Sequence, residues 1–165
     1  MPSKAEITYY LGIDPGTNCG WCVMQRKKSG DSKEVKVVAS GTWDLKPKRH
    51  EGGGMRYLHL RRFLEEILNT YTISAIGYEE VRRHLGTDAA HIYGGIVSHI
   101  ATFGEENSIP YTAIPVGTIK KMATGKGRAS KEDMISAANI FFNVQCEDDN
   151  EADAIWIANV LTATL

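Results

Sequence analysis

An apolar run, Ile7 to Ile13, ends abruptly in Asp14-Pro15-Gly16-Thr17. The run (ITYYLGI) is dense in β-branched and aromatic residues and reads as a buried strand. Pro-Gly behind it marks a turn. This junction constrains the fold more than any other stretch, because a carboxylate at the end of a buried strand is costly unless a cation meets it. A metal ion is the obvious cation. The turn residues leave open backbone where a phosphate has room to approach.

Trp21–Lys27 and Val35–Trp43 are also strand-like, and Gly16–Gly20 and Ser29-Gly30-Asp31-Ser32 supply the turns. Successive strands with short turns give an antiparallel meander. A polar, glycine-rich stretch, Asp44–Gly54, leads to a helix predicted over Met55–Tyr71, with Leu60, Phe63, Leu64, Ile67, Leu68 and Tyr71 spaced along one face. Ser74–Val81 is the next strand, Thr87–Asn107 a helix containing Gly94-Gly95, and Tyr111–Ile114 a short strand stopped by Pro115. Val116–Met122 reads as a helical turn and Thr124–Ala129 as a loop. Ser130, with Asp133 three residues on, caps a helix to about Phe142. The last helix starts at Asp149 or Asn150 and reaches about Thr162. Its run Ala154–Val160 is apolar on nearly every side and should be deeply buried. The order β-β-β-α-β-α-β-α-α implies an α/β fold in one domain over 1–165: a five-stranded mixed sheet with helices on both faces.

Apolar content of 42% and charged content of 24% are those of an ordinary globular chain. No apolar run approaches the roughly 18 residues needed to span a bilayer. The first ten residues lack the apolar stretch of a signal peptide, so no membrane partner and a cytoplasmic location are expected. The net charge of −1 hides a segregation. Lys and Arg gather at Lys46–Arg62, Arg82-Arg83 and Lys120–Lys131, and acid at Glu147–Asp153. That pattern suits basic surfaces around a small acidic site. Cys19-Gly20-Trp21-Cys22 spells C-x-x-C, but a strand follows it instead of the helix that would lower a thiol pKa. Zinc would need further ligands at motif spacing, and Cys146 stands alone, so the cysteines read as structural.

Other carboxylates are placed to join Asp14. Glu79 and Glu80 lie in one strand, and alternation lets only one of them face it. Asp153 opens the buried last helix, with Asp149 four residues before it and Asn150 three, and either spacing puts two ligands on one helical face. An N-cap role for Asp149 or Asn150 is the alternative. Clustered oxygen ligands without a His/Cys set call for Mg²⁺, with Mn²⁺ as substitute. Lys120, Lys121, Lys126 and Arg128 lie together with no acid among them, and Arg82-Arg83 follows the Glu pair. Both clusters suit phosphate backbones.

In this order the segments Leu11–Val23 (LGIDPGTNCGWCV), Ile76–Val81 (IGYEEV), Thr118–Lys131 (TIKKMATGKGRASK) and Glu151–Ala158 (EADAIWIA) resemble the RuvC-type Holliday junction resolvases of the ribonuclease-H-like superfamily, closest to their short viral and phage branch. The resemblance covers nearly the whole chain. It implies catalytic carboxylates at Asp14, Glu79 and Asp153. The family's fourth ligand falls at Asn150, a departure, with Asp149 one residue earlier as the alternative. The family's two functional lysines map to Lys120 and Lys131. Its bacterial aromatic wedge falls at Arg82, so base stacking is not implied there. The resemblance further implies two metal ions per site, with Asp14 shared between them, and phosphodiester hydrolysis leaving 5′-phosphate ends. Paired symmetric nicks in a four-way DNA junction, made by a homodimer with Thr87–Asn107 as candidate interface, complete the expectation. The catalytic set is then Asp14, Glu79, Asp149, Asp153, Lys120 and Lys131, with Asn150 added as a metal ligand. The DNA-binding set is Arg82, Arg83, Lys120, Lys121, Lys126, Arg128 and Lys131. Alternatives are a flap or branched-DNA nuclease of the same mechanism and a weakly catalytic junction-binding protein. Asp14–Gly20 also resembles the phosphate loop of sugar kinases and actin-like ATPases, but those need far more chain and have no place for EADAIWIA.

Overall fold

The structure, a computed structural model, describes residues 4–165. Its strands are β1 (Glu6–Asp14), β2 (Asn18–Ser29), β3 (Ser32–Asp44), β4 (Ile73–Glu80) and β5 (Tyr111–Pro115). Its helices are α1 (Met55–Thr70), α2 (Thr87–Glu106), α3 (Val116–Thr124), α4 (Lys131–Phe142) and α5 (Asp149–Thr164). The strands form one mixed sheet in the order β3-β2-β1-β4-β5. β1, β2 and β3 are the antiparallel meander, and β4 and β5 join parallel to β1. The last β1–β2 pair is Asp14↔Gly20, so Pro15–Cys19 form the connection, with Asn18 and Cys19 already paired to β3.

Strand alternation sorts the core into two layers. Tyr10, Cys22, Met24 and Ala75 face α3, α4 and α5. Leu11, Ile13, Val23 and Ile76 face α1 and α2. The C-x-x-C cysteines are split by the same alternation: Cys19 lies in the α1/α2 layer and Cys22 in the α5 layer, so they form no pair. Burial pushes both thiols well above their usual range, which leaves them inert. On the α1/α2 side, Trp43 stacks between Trp21 and Phe63 at ring separations of 5.3 and 5.1 Å and anchors α1 on the meander.

Helix α5 is buried from Ala154 to Thr162, as its all-round apolar sequence requires. It lies close on the sheet because glycines meet it. A Cβ on Gly12 would overlap the backbone of Ala154 and Ala158, and one on Gly20 would overlap the backbone of Asn150. Its N-cap is Asp148, whose carboxylate accepts from Asn150 N–H at 2.8 Å and from Thr42 Oγ1–H at 2.8 Å. The capping role expected of Asp149 or Asn150 therefore belongs to the residue before them. One other local expectation changes. The helical turn after Pro115 is a full helix to Thr124, ended by left-handed Gly125 at φ 79°. Gly95 in α2 is required within the chain itself, since a Cβ there would overlap the Tyr57 ring on α1, whereas Gly94 faces open space. Ser130 and Asp133 close a reciprocal capping box on α4, as the spacing predicts.

Candidate active site

The alternation that sorts the core also aims the acids. Gly12 lies under α5, so Asp14, two residues on, points to the same face. On β4, Ala75 and Gly77 face α5, so Glu79 does as well and Glu80 is turned away. Asp153 reaches this spot from the first turns of α5, which cross the sheet over Gly12 and Gly20. One carboxylate oxygen from each of Asp14, Glu79 and Asp153 lies within 4.8 Å of the others.

The cluster is electrostatically uncompensated. Asp14 is 8% exposed. Burial raises its pKa well above the usual carboxylate range, and the charges of Glu79, Asp153 and Asp149 and a hydrogen bond to Glu79 push it the same way. Burial also raises Asp153, to about 7, assisted by Glu79 and Asp149 and opposed by Lys120 and Lys131. Among the described residues no ion pair involves any of the three. Three convergent oxygen donors that repel one another suit a hard divalent cation, which would hold all three ionised at neutral pH.

The other expected site residues fall around this core. Asp149 stays outside the close set and sits on its rim. It is near enough to raise Asp14 and Asp153, and its carboxylate lies 3.7 Å from Lys131 Nζ. Asn150 is engaged with the cap through its backbone N–H, which donates to Asp148 at 2.8 Å. Lys120, with Val116, Ile119 and Met134, borders the narrow cleft that contains Glu79 and Asp153. Lys126 and Arg128 line a hollow of about 360 Å³ at the start of α4, and Lys121 is exposed on α3. Arg82 is turned toward Glu80 (3.3 Å), and Arg83 is exposed beside it.

Three residues that sequence reasoning passed over support the cluster. Asp148 fixes the start of α5, and its signal was submerged in the acidic run Glu147–Asp149. Arg56 at the head of α1 donates to Thr17 Oγ1 at 2.9 Å and braces the turn behind Asp14. Tyr93 of α2 hydrogen-bonds the backbone on both sides of Glu80. Neither of the last two carries a local sequence signal, since each acts across elements distant in the chain.

Residues 10–161 match the family model described as crossover junction endodeoxyribonuclease RuvC. The chain is 26% identical over 154 residues to the crossover junction endodeoxyribonuclease RuvC of Ehrlichia chaffeensis, covering 90% of this chain and 92% of that one. It is also 26% identical over 149 residues to the enzyme of the same name from Brachyspira hyodysenteriae, covering 90% and 89%. Among solved structures, it is similar to T. thermophilus RuvC in complex with Holliday junction substrate, with a TM-score of 0.76, 20% identity and coverage of 94% and 92%. It is also similar to the yeast mitochondrial Holliday junction resolvase Ydc2, with a TM-score of 0.64, 16% identity and coverage of 94% and 78%. At those identities the structural likeness speaks for the fold alone.

Proposed function

The chain belongs to the RuvC family of crossover junction endodeoxyribonucleases, and from that premise we propose that it is a metal-dependent endonuclease that resolves four-way DNA junctions. One observation carries the reading: Asp14, Glu79 and Asp153 converge within 4.8 Å at the end of the central strands, with no cationic side chain among them. We read the whole described chain as one nuclease domain.

Asp14, Glu79 and Asp153 would hold Mg²⁺ or Mn²⁺, and Asp149 on the rim would be a further donor for a second ion. Bound there, the metal supplies an activated water at neutral pH and neutralises charge on the scissile phosphate. The chain's own residues do the rest. Burial under α5 keeps bulk water from Asp14, so its charge is directed at the ligand rather than solvated. Lys120 and Lys131, whose charges oppose the rise of the Asp153 pKa, would offset the growing negative charge of the phosphoryl centre. Arg82, Arg83, Lys121, Lys126 and Arg128 would hold phosphates on either side without reading sequence. The products would carry 5′-phosphates. Paired nicks in a twofold-symmetric junction need two such sites, and a homodimer through the outer face of α2, where Gly94 is open, supplies them. A junction nuclease of this kind would work where DNA is, in the cytoplasm of a bacterium or an infected cell. No helix among the described residues is long and apolar enough to cross a membrane.

Digestion of labelled four-way junction, flap and plain duplex side by side, with Mg²⁺, tests the reading. Paired symmetric cuts in the junction are expected. Flap cleavage without junction cleavage, or junction binding with no cutting in either metal, would overturn it.

A further inference from the structure

At the catalytic end of β4 the sheet loses a strand. β1 pairs with β4 as far as Ile13↔Tyr78, and extending that register would set Asp14 against Glu79 and Pro15 against Glu80. In a parallel ladder, the residue opposite Glu80 on this side donates its N–H to the Glu79 carbonyl and accepts from the Val81 N–H. Pro15 has no N–H to give, and the chain turns away there. On the other side, Glu80 is paired with β5 at Pro115, so nothing from that strand serves these two groups. The Glu79 carbonyl and the Val81 N–H would be left without a protein partner beside a half-buried acidic cluster, and orphans shielded from water are costly.

The hydroxyl of Tyr93 supplies both bonds. It donates to the Glu79 carbonyl at 2.8 Å and accepts from Val81 N–H at 3.1 Å. One oxygen atom from α2 thus does the work of a missing strand residue, at the residue that carries the second carboxylate of the cluster. We propose that Tyr93 is a positioning residue: by replacing the β1 partner that Pro15 cannot be, it fixes the backbone of Glu79 and so holds that carboxylate in register with Asp14 and Asp153 for metal. The inference rests on the metal-centre reading above. Its physical basis is the usual one for groups that orient a ligand: they touch no metal, yet their loss weakens metal affinity because the ligand must be re-ordered on binding.

Tyr93→Phe tests it. The ring keeps its packing against His84, at a centroid separation of 5.0 Å, and only the oxygen is lost. Calorimetric titration with Mn²⁺ should show affinity lowered about tenfold, the lower end of what loss of an orienting group does. Junction affinity should stay unchanged, and cleavage should fall through kcat and not through KM. In the wild type, amide exchange at Val81 should be slow compared with Arg82 and Arg83 and should slow further when Mn²⁺ binds. This second measurement stands even if the variant folds poorly. Equal Mn²⁺ affinity in variant and wild type, or a Val81 amide that exchanges as freely as its neighbours, would overturn the proposal. Absence of Mn²⁺ binding by the wild type would instead overturn the metal-centre reading beneath it.

Discussion

Asp14 stores unfavourable charge in the folded chain, and its removal should separate stability from activity. Asp14 and Asp153 both titrate above the ordinary value of 3.8, Asp153 at about 7, chiefly through burial. A carboxyl whose folded pKa is raised binds more protons folded than unfolded, so stability is greatest below the unfolded pKa and is lost as pH rises through the folded one. The metal-free protein is therefore expected to lose melting temperature between about pH 4 and 7, and Mn²⁺ should restore it at pH 7. Asp14→Asn should flatten that loss, at roughly 2–4 °C gained per kcal/mol relieved in a chain of this size, while abolishing junction cleavage and sparing junction binding. Calorimetry across pH together with a cleavage assay checks both halves; an unchanged slope, or cutting at wild-type rate, counts against the assignment. The rim pair should also divide. Asp149→Ala removes a charge beside the cluster and frees Lys131, so cleavage should fall about tenfold, one unit on the scale of about 1.4 kcal/mol. Asn150→Ala keeps the backbone N–H that Asp148 accepts, so it should change cleavage less than twofold and leave the urea midpoint nearly unchanged.

Among the elements, α5 matters most, because it brings Asp153 to Asp14 and Glu79, which lie far from it in the chain. Its seat depends on the absence of side chains at Gly12 and Gly20. Alanine at either position meets backbone, which cannot step aside as a flexible side-chain tip would. Gly20→Ala is expected to cost about 3 kcal/mol or more and to lift the head of α5, so that Mn²⁺ binding fails with stability. Chemical denaturation and metal titration of the same variant check this, and a variant with native affinity would refute the close seat. The periodic elements, by contrast, were legible. The alternation in β1 and β4, the helical stripe of Leu60, Leu64 and Ile67, and the Ser130–Asp133 box all match their sequence patterns, because each depends on contacts within one or two turns or strand pairs. Helix α3 was legible only as a turn, since it is nine residues long and opens on Val116 and Gly117, which favour helix weakly.

For the whole molecule, the expectations concern assembly and substrate. A twofold junction calls for two sites, and α2 presents Gly94 outward with open space before it. Gly94→Arg should leave the fold and Mn²⁺ binding intact but give a monomer in sedimentation velocity; a wild type that is monomeric at micromolar concentration would refute this interface. Reversal of charge at Lys126 and Arg128 should weaken junction binding about tenfold, flatten its salt dependence and leave Mn²⁺ affinity unchanged. By itself the sequence determined every element but α3, the mixed sheet, the apolar last helix and the candidates Asp14, the Glu79-Glu80 pair and Asp153, because each is written in local periodicity or in one short motif. Only the tertiary structure decided which donors meet. It put Glu79 and not Glu80 on the α5 face, made Asp148 the cap, left Asp149 at the rim, parted Cys19 from Cys22 and brought Tyr93 to the end of β4. The reason is physical: a strand or helix encodes which way its own side chains point, but the meeting of atoms from β1, β4, α2 and α5 depends on how closely those elements pack, and that is set by residues such as Gly12 and Gly20, whose partners lie far along the chain.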